Sequence, residues 1–449
     1  MAHSGMILIK GGRLIDPSQD IDGICDLLVE NGVVSGVAQN IAPPEHGAVI
    51  DAAGMVVAPG FVDVHCHLRE PGFEDKETIA SGTLAAARGG FTTVCAMPNT
   101  NPAMDTAATL EYVLRKARDE ATVRVLPIGS VTKRSAGKEL AEMGELADAG
   151  AIGFSDDGNP IFNANIMRQA LAYSSAVGLP VINHCEEPSL FHGGSMNEGW
   201  VSNRLGLKGI PNASEDIMVG RDIELAALTG GRYHVAHLTT EGSLELVRRA
   251  KERGMTNVSA EVTPHHLTMT DVAALGRTAD GSSINCMFAP LTPAAYDTTA
   301  KVNPPLRAKK DMNALVAGLR DGVIDFIATD HAPHNFTGKQ CTFHEAEFGI
   351  SVFETALGQL MELVHSGAID LPLLIEKLTA SPARFLRRND IGTLRQGAVA
   401  DITIINPDEE WVVDTAQFAS KGKNTPLQGA TLRGRVHATV VGGDVVHQW

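Results

Sequence analysis

Apolar and polar positions alternate in two different rhythms along this chain, and the change of rhythm divides it. In the first sixty residues the apolar positions come in short strand-like runs. Met6–Lys10 alternates, and residues 26–37 (DLLVENGVVSGV) set Asn31-Gly32 between two apolar runs, a strong signal for a tight hairpin. The last fifty or so residues read alike: Ala400–Asn406, Trp411–Asp414 and His437–His447 are β-rich and broken by Gly442-Gly443. Two all-β ends around one long middle predict that the ends meet as one small β domain. That domain comprises residues 1–60 plus 392–449, closed around an inserted core of residues 61–391; two unrelated tails are the plainer alternative.

In the middle, apolar runs alternate with segments of helical period, the βαβ pattern of a parallel sheet. Candidate strands begin near Phe61, Thr92, Thr122, Ala151, Pro180, Arg232, Asn257 and Ile324. Between them lie helix-like stretches such as Asp105–Arg118, Asn163–Val177, Ser214–Leu228 and Glu241–Arg253, the second with Asn163 as N-cap and Gly178 at its end. Eight strands, each followed by helical sequence, point to a (β/α)8 barrel of the TIM type, although a doubly wound open sheet would read similarly. Two connections, Glu186–Asn212 and Thr263–Leu306, exceed ordinary loop lengths, as functional loops do.

Composition narrows the class without naming a chemistry. The 449 residues include 37 Lys+Arg against 53 Asp+Glu, a formal charge of −16, and 16 His; 44% are hydrophobic and 20% charged. These are globular values, so wholesale disorder is excluded. So acidic a chain, with no basic cluster, argues against nucleic acid or an anionic membrane as partner. There is no run of about 18 apolar residues, and the N-terminus lacks a signal-peptide layout, so a soluble, cytoplasmic protein is expected. Six scattered Cys without a CxxC fit reduced thiols.

Functional groups of a barrel gather at the carboxyl ends of its strands. The first predicted strand runs into His65-Cys66-His67; residues i and i+2 of an extended segment face the same way, so both imidazoles reach one metal, and Cys66 turns away. Alone, an HxH is weak, because two core or surface histidines look the same. The other strand ends strengthen it: strand five ends in Asn183-His184, strand six in Ala236-His237, strand eight in Thr329-Asp330, and strand four runs into Ser155-Asp156-Asp157-Gly158. Imidazole and carboxylate ligands without thiolates suit Zn2+, with Mn2+, Fe2+ or Co2+ as substitutes. Six candidates exceed what one tetrahedral ion needs; two ions about 3.5–4 Å apart, sharing a hydroxide, would use them all.

These motifs resemble the amidohydrolase superfamily, whose flanking β domain is likewise built from both chain ends. Residues 391–401 (IGTLRQGAVAD) are similar to the superfamily's return into that domain. Within it, residues 65–72 (HCHLREPG), 97–102 (MPNTNP), 303–307 (NPPLR) and 328–334 (ATDHAPH) resemble the longer bacterial class I dihydroorotase family, from about residue 6 to the C-terminus. The resemblance implies a (β/α)8 barrel with a small β-sandwich domain formed by the two terminal segments. It implies His65, His67 and Asp330 at one zinc and His184 and His237 at the other. Many superfamily members bridge the metals with a carboxylated Lys; here the resemblance implies an Asp, with Asp157 favoured by spacing over Asp156. For the substrate, dihydroorotate or N-carbamoyl-L-aspartate, it implies Arg69 and Asn99 on the carboxylate, with Asn303, His334 and the Phe348-Gly349 backbone nearby. Turn-making beside Pro is the plainer reading of Asn99 and Asn303. The implied chemistry is attack by a hydroxide held between two Zn2+ on the ring carbonyl, with Asp330 as general base and then acid.

Several residues are discounted. Cys66 and Cys185 sit beside ligands but face away; His265 and His266 suit a structural role; His234 reads as a satisfied core or surface histidine; Lys133 and Lys138 lie on a solvated face. Residues 274–300 look like an insertion relative to the family, a lid or an oligomer contact, which touches the reading of Asn303. A homo-oligomer is expected. The alternatives are an allantoinase- or hydantoinase-like cyclic amidohydrolase and a non-catalytic scaffold that binds aspartate carbamoyltransferase.

Overall fold

Eight short parallel strands form the centre of the molecule, a computed structural model that describes residues 5–276, 291 and 294–449. They are Phe61–Cys66, Phe91–Ala96, Arg124–Pro127, Phe154–Ser155, Val181–Asn183, Tyr233–Val235, Val258–Val262 and Phe326–Ile327, all within a few residues of the expected starts. The first three pair in chain order as one parallel sheet, and the remaining five as another. Parallel bridges continue the order from Gly129 to Phe154, and from Cys66 to His331 just past the last strand. Asp63 adds a clasp there, accepting 2.7 Å hydrogen bonds from both the backbone N–H and the hydroxyl of Thr329. The α/β character is therefore as expected.

The helices between strands follow their sequence signals. Ala164–Val177 starts where the Asn163 side chain accepts from the N–H groups of Asn165 and Ile166, and stops at Gly178 with φ 77°. It buries Met167, Ala170, Leu171 and Ser174, the i, i+3, i+4, i+7 stripe that faces a core. Ala107–Glu120, Ala213–Thr229 and Glu241–Glu252 likewise lie within two residues of expectation.

Strands from both chain ends share one eight-stranded sheet. Ile21–Glu30 and Val33–Ala38 pair as Glu30↔Val33 across Asn31-Gly32, both at positive φ (51° and 80°), the type I′ geometry that such a dipeptide favours. The other end joins through Ile402–Val412, which pairs antiparallel with Val56–Pro59. This sheet has its own apolar cluster, including Ile9, Leu27, Val29, Ile402, Ile404 and Val440. Phe61, Phe91 and Phe353 pack ring on ring in the larger core, with centroids 5.3–5.6 Å apart.

Much of the 274–300 segment, residues 277–290 and 292–293, lies outside the described residues. Of its flanks, Leu275 is buried near Trp200, Val201 and Phe343, and the Tyr296 hydroxyl donates to the Leu205 carbonyl at 2.9 Å. Among the described residues no helix is long and apolar enough to cross a membrane.

Candidate metal and active site

Each of the six ligand-type side chains leaves the carboxyl end of a parallel strand, and the six converge. Asp157 lies in the middle: its Oδ1 is 3.5 Å from His65 Nε2, 3.5 Å from His237 Nε2 and 3.8 Å from His184 Nδ1, and its Oδ2 is 3.5 Å from His67 Nε2. Asp330 Oδ1 sits 2.9 Å from His67 Nε2 and 3.6 Å from His65 Nε2. His184 Nδ1 is 3.0 Å from His237 Nε2. All six residues are buried. Arg69, His237 and Asp330 have φ of 62°, 32° and 44°, a left-handed conformation uncommon outside glycine and concentrated at functional turns.

Asp156 points elsewhere. Its carboxylate accepts from the N–H groups of Val131 (2.9 Å) and Thr132 (3.0 Å) and from the Thr132 hydroxyl, which ties down the loop after the third strand. Of the adjacent pair, only Asp157 is free to face the imidazoles.

The donor set fits a divalent cation. Two overlapping groups, His65–Asp157–His237 and His65–His67–Asp330, bring their ligand atoms within 4.8 Å of one another. Ligands about 2.0–2.1 Å from a tetrahedral zinc lie about 3.3 Å apart, close to the separations here. His65 Nε2 and Asp157 Oδ1 are buried without a hydrogen-bond partner, an arrangement costly unless something else binds there. Electrostatics agree. Burial pushes the Asp157 carboxyl up, but the charge of His65 and the close imidazoles of His237 and His67 outweigh it and hold Asp157 well below the carboxylate range. Burial lowers His65, but Asp157 and Glu261 reverse that and raise it well above the ordinary imidazole value. The cluster thus demands positive charge, which protons or a metal ion can supply.

The outer nitrogens of three imidazoles are also engaged. His65 Nδ1 lies 2.6 Å from Glu261, and His67 Nδ1 lies 2.9 Å from Asn99 Oδ1. His184 Nε2 is 3.3 Å from Asn303 Nδ2, which also donates to Glu186 at 3.1 Å. Asn99 and Asn303, singled out for the substrate, thus also contact metal-type histidines. Arg69 donates to the Pro333 carbonyl at 3.3 Å and reaches His334 at 3.4 Å, and among the described residues no carboxylate is paired with it. His334 is held between Glu347 and the Phe348 carbonyl, the latter at 2.6 Å. Gly349 has φ 148°, and a Cβ there would stand 2.5 Å from the Ala332 carbonyl oxygen, so a side chain would collide. Its N–H donates to Lys301 O and its carbonyl accepts from Asn424, so these backbone groups already brace the loop.

None of the discounted residues belongs to the two ligand groups. Cys66 and Cys185 are buried, with sulfurs against the Cys95 carbonyl and the Tyr233 hydroxyl. His266 is bonded to Thr263 and the Pro304 carbonyl, whereas His265 is buried with neither ring nitrogen bonded. His234 is a satisfied core histidine, between Ser259 and Glu261. Lys133 pairs with Glu139 at the surface. Glu261 and Glu186 are passed over as site residues when only the sequence is read; for Glu261 the available signal is an acid interrupting a strand of otherwise small and apolar residues, VSAEV.

A parallel α/β core with imidazoles and carboxylates at its strand ends is the architecture of the amidohydrolases, and solved structures agree. The L-hydantoinase (dihydropyrimidinase) of Arthrobacter aurescens superposes with a TM-score of 0.84 at 25% identity, covering 100% of this chain and 96% of that one. The dihydropyrimidinase of Brevibacillus agri NCHU1002 has the same fold, with a TM-score of 0.83 at 21% identity and coverage of 99% and 95%. Residues 54–243 match the family model described as Dihydro-orotase-like. The dihydroorotase of Geobacter sp. (strain M21) is 48% identical, over 98% of this chain and 99% of its own length. That of Pelotomaculum thermopropionicum is 49% identical, over 98% of each. The chain belongs to the dihydroorotase family.

Proposed function

We propose that this chain is a dihydroorotase: it hydrolyses the ring amide of (S)-dihydroorotate to N-carbamoyl-L-aspartate, and in reverse closes that ring for pyrimidine synthesis. Near-full-length identity of 47–49% to dihydroorotases is the observation that carries this reading. In it the eight parallel strands are a closed (β/α)8 barrel, residues 61–391, and residues 1–60 with 392–449 are a composite β-sandwich domain. His65, His67 and Asp330 would hold one Zn2+ and His184 and His237 a second, with Asp157 between them.

When bound, the ions supply hydroxide at neutral pH and a Lewis acid for the ring carbonyl. The protein's own groups do the rest. Arg69, whose guanidinium lacks a carboxylate partner among the described residues, pairs with the substrate carboxylate. Burial pushes Asp330 up, but the His67 hydrogen bond and the charge of His65 hold it below the carboxylate range, so it stands as a carboxylate. It removes the proton of the attacking water and delivers it to the ring nitrogen as the C–N bond breaks. His334, braced by Glu347 and Phe348, fixes the wall beside Arg69.

The resemblance to hydantoinases supports a second reading, a broader cyclic-amide hydrolase. Hydantoin lacks the carboxylate that Arg69 would bind, so the two separate cleanly. Protein of measured metal content is expected to turn over dihydroorotate and to leave hydantoin and allantoin largely untouched. Preferential turnover of either control would overturn the reading.

A further inference from the structure

Behind His65 runs a string of polar groups, ending at the half-buried Ser259, that the proposed chemistry does not use. Ser259 and Glu261 share a face of Val258–Val262, and the parallel register pairs Ser259 with His234 on the neighbouring strand. The Ser259 hydroxyl lies 2.8 Å from His234 Nδ1, and His234 Nε2 lies 3.1 Å from Glu261 Oε2. Glu261 Oε1 lies 2.6 Å from His65 Nδ1 and accepts the His237 N–H at 3.3 Å. Glu261, His234 and His65 are fully buried.

With both imidazoles neutral, as metal binding requires of His65, the string admits one self-consistent placement of hydrogens. A carboxylate 2.6 Å from His65 Nδ1 requires a proton on that nitrogen, which leaves the lone pair on Nε2, facing Asp157 and Asp330. Glu261 Oε2 likewise requires a proton on His234 Nε2, so His234 Nδ1 accepts from Ser259. A buried carboxylate is tolerated only when its oxygens are satisfied, and Glu261 has donors from His65, His234 and His237.

We propose that Glu261 is a positioning residue that fixes His65 as the Nδ1–H tautomer and strengthens its hold on a divalent cation, with His234 and Ser259 keeping the carboxylate aligned. This rests on reading His65 as a metal ligand. A carboxylate behind a ligating imidazole raises its basicity, and losing such a partner commonly costs 10–100-fold in metal affinity.

The test is zinc affinity of the full chain, by competition with a chelator, for wild type, Glu261→Gln, His234→Gln and His65→Ala. Glu261→Gln retains an acceptor for His65 but not the charge, and is expected to weaken zinc binding at the site that holds His65 about 10–100-fold and to shift the visible bands of the Co2+ form. His234→Gln, with the carboxylate intact, is expected to weaken it severalfold and decides the matter if Glu261→Gln does not fold. A purely structural role would lower the unfolding midpoint and leave affinity and cobalt spectrum unchanged, and that result overturns the proposal. If His65→Ala binds zinc as tightly as wild type, the reading of His65 as a ligand fails, and the proposal with it. If His65→Ala alone loses zinc, only the role of Glu261 falls.

Discussion

Both ends of the parallel core carry charged groups, and they use them in opposite ways. At the amino end, cations are spent on backbone carbonyls. Arg232 donates to the carbonyls of Gly178 (3.2 Å) and Phe385 (2.7 Å), Lys377 to those of Ile324 (2.9 Å) and Asp325 (3.1 Å), and Lys251 to that of Val323 and the Asp325 carboxylate. Two of these carbonyls, those of Gly178 and Phe385, belong to helix C-termini, which lack intrahelical partners and attract positive charge. At the carboxyl end some polar atoms remain open: His65 Nε2, Asp157 Oδ1 and His237 Nδ1 are buried without partners. A cavity of about 460 Å3 opens at the amino end, lined in part by Arg232, Asp325 and Lys377, yet those three are already bonded. Unsatisfied polar atoms, rather than cavity size or charge, distinguish the reactive end.

If that contrast is sound, substitutions at the carboxyl end change chemistry and those at the amino end change stability. Asp330→Asn carries the largest expected effect: turnover of dihydroorotate falls by roughly 10²–10⁴-fold, the usual worth of a general acid–base group, while much of the metal stays. Steady-state rates beside metal analysis check this, and retained activity would sink the role of Asp330. Arg69→Met is next. Loss of a charge-assisted hydrogen bond to the substrate carboxylate costs about 1.5–3 kcal/mol, or roughly 10–150-fold in kcat/KM. An unchanged kcat/KM would remove Arg69 from substrate binding.

The legible parts of this molecule were those written in local spacing. Alternation and helical period located all eight strands, Asn163 marked a helix start, and the i, i+2 spacing of His65 and His67 put both rings on one face. Choosing between Asp157 and Asp156 depended on which carboxylate the Val131 and Thr132 N–H groups would occupy, a contact across 24 or more residues that spacing cannot show. Glu261 was hidden for a similar reason. Its neighbours His65 and His234 lie on other strands, and only inter-strand register brings them together. Asn99 and Asn303 were picked out as polar groups near the substrate, but their contacts with His67 and His184 depend on ring orientation.

Arg232→Met tests the amino end. It leaves the Gly178 and Phe385 carbonyls without their donor, an expected loss of about 1–3 kcal/mol in unfolding free energy. Urea unfolding measures that loss, and kcat is expected to stay within about twofold of wild type. A fall in kcat comparable with that of Asp330→Asn would break the contrast between the two ends.

The smallest effect concerns Lys339, which lies on the active-site side but is bonded in the manner of the amino end. Its ammonium donates to the carbonyls of Thr298 (3.1 Å) and Lys301 (2.9 Å), bracing the loop that carries His334 and Gly349. Burial, with the nearby charge of Lys301, pushes Lys339 down to about 7. Between there and the ordinary lysine value near 10.4, the unfolded chain binds more protons at this position than the folded one, so this group makes stability rise with pH across that window and become flat below it. Lys339→Met is therefore expected to reduce the rise in unfolding midpoint from pH 7 to pH 9 with little change in kcat. An unaltered pH dependence would mean that Lys339 remains charged in the fold, with the two carbonyls compensating for its burial.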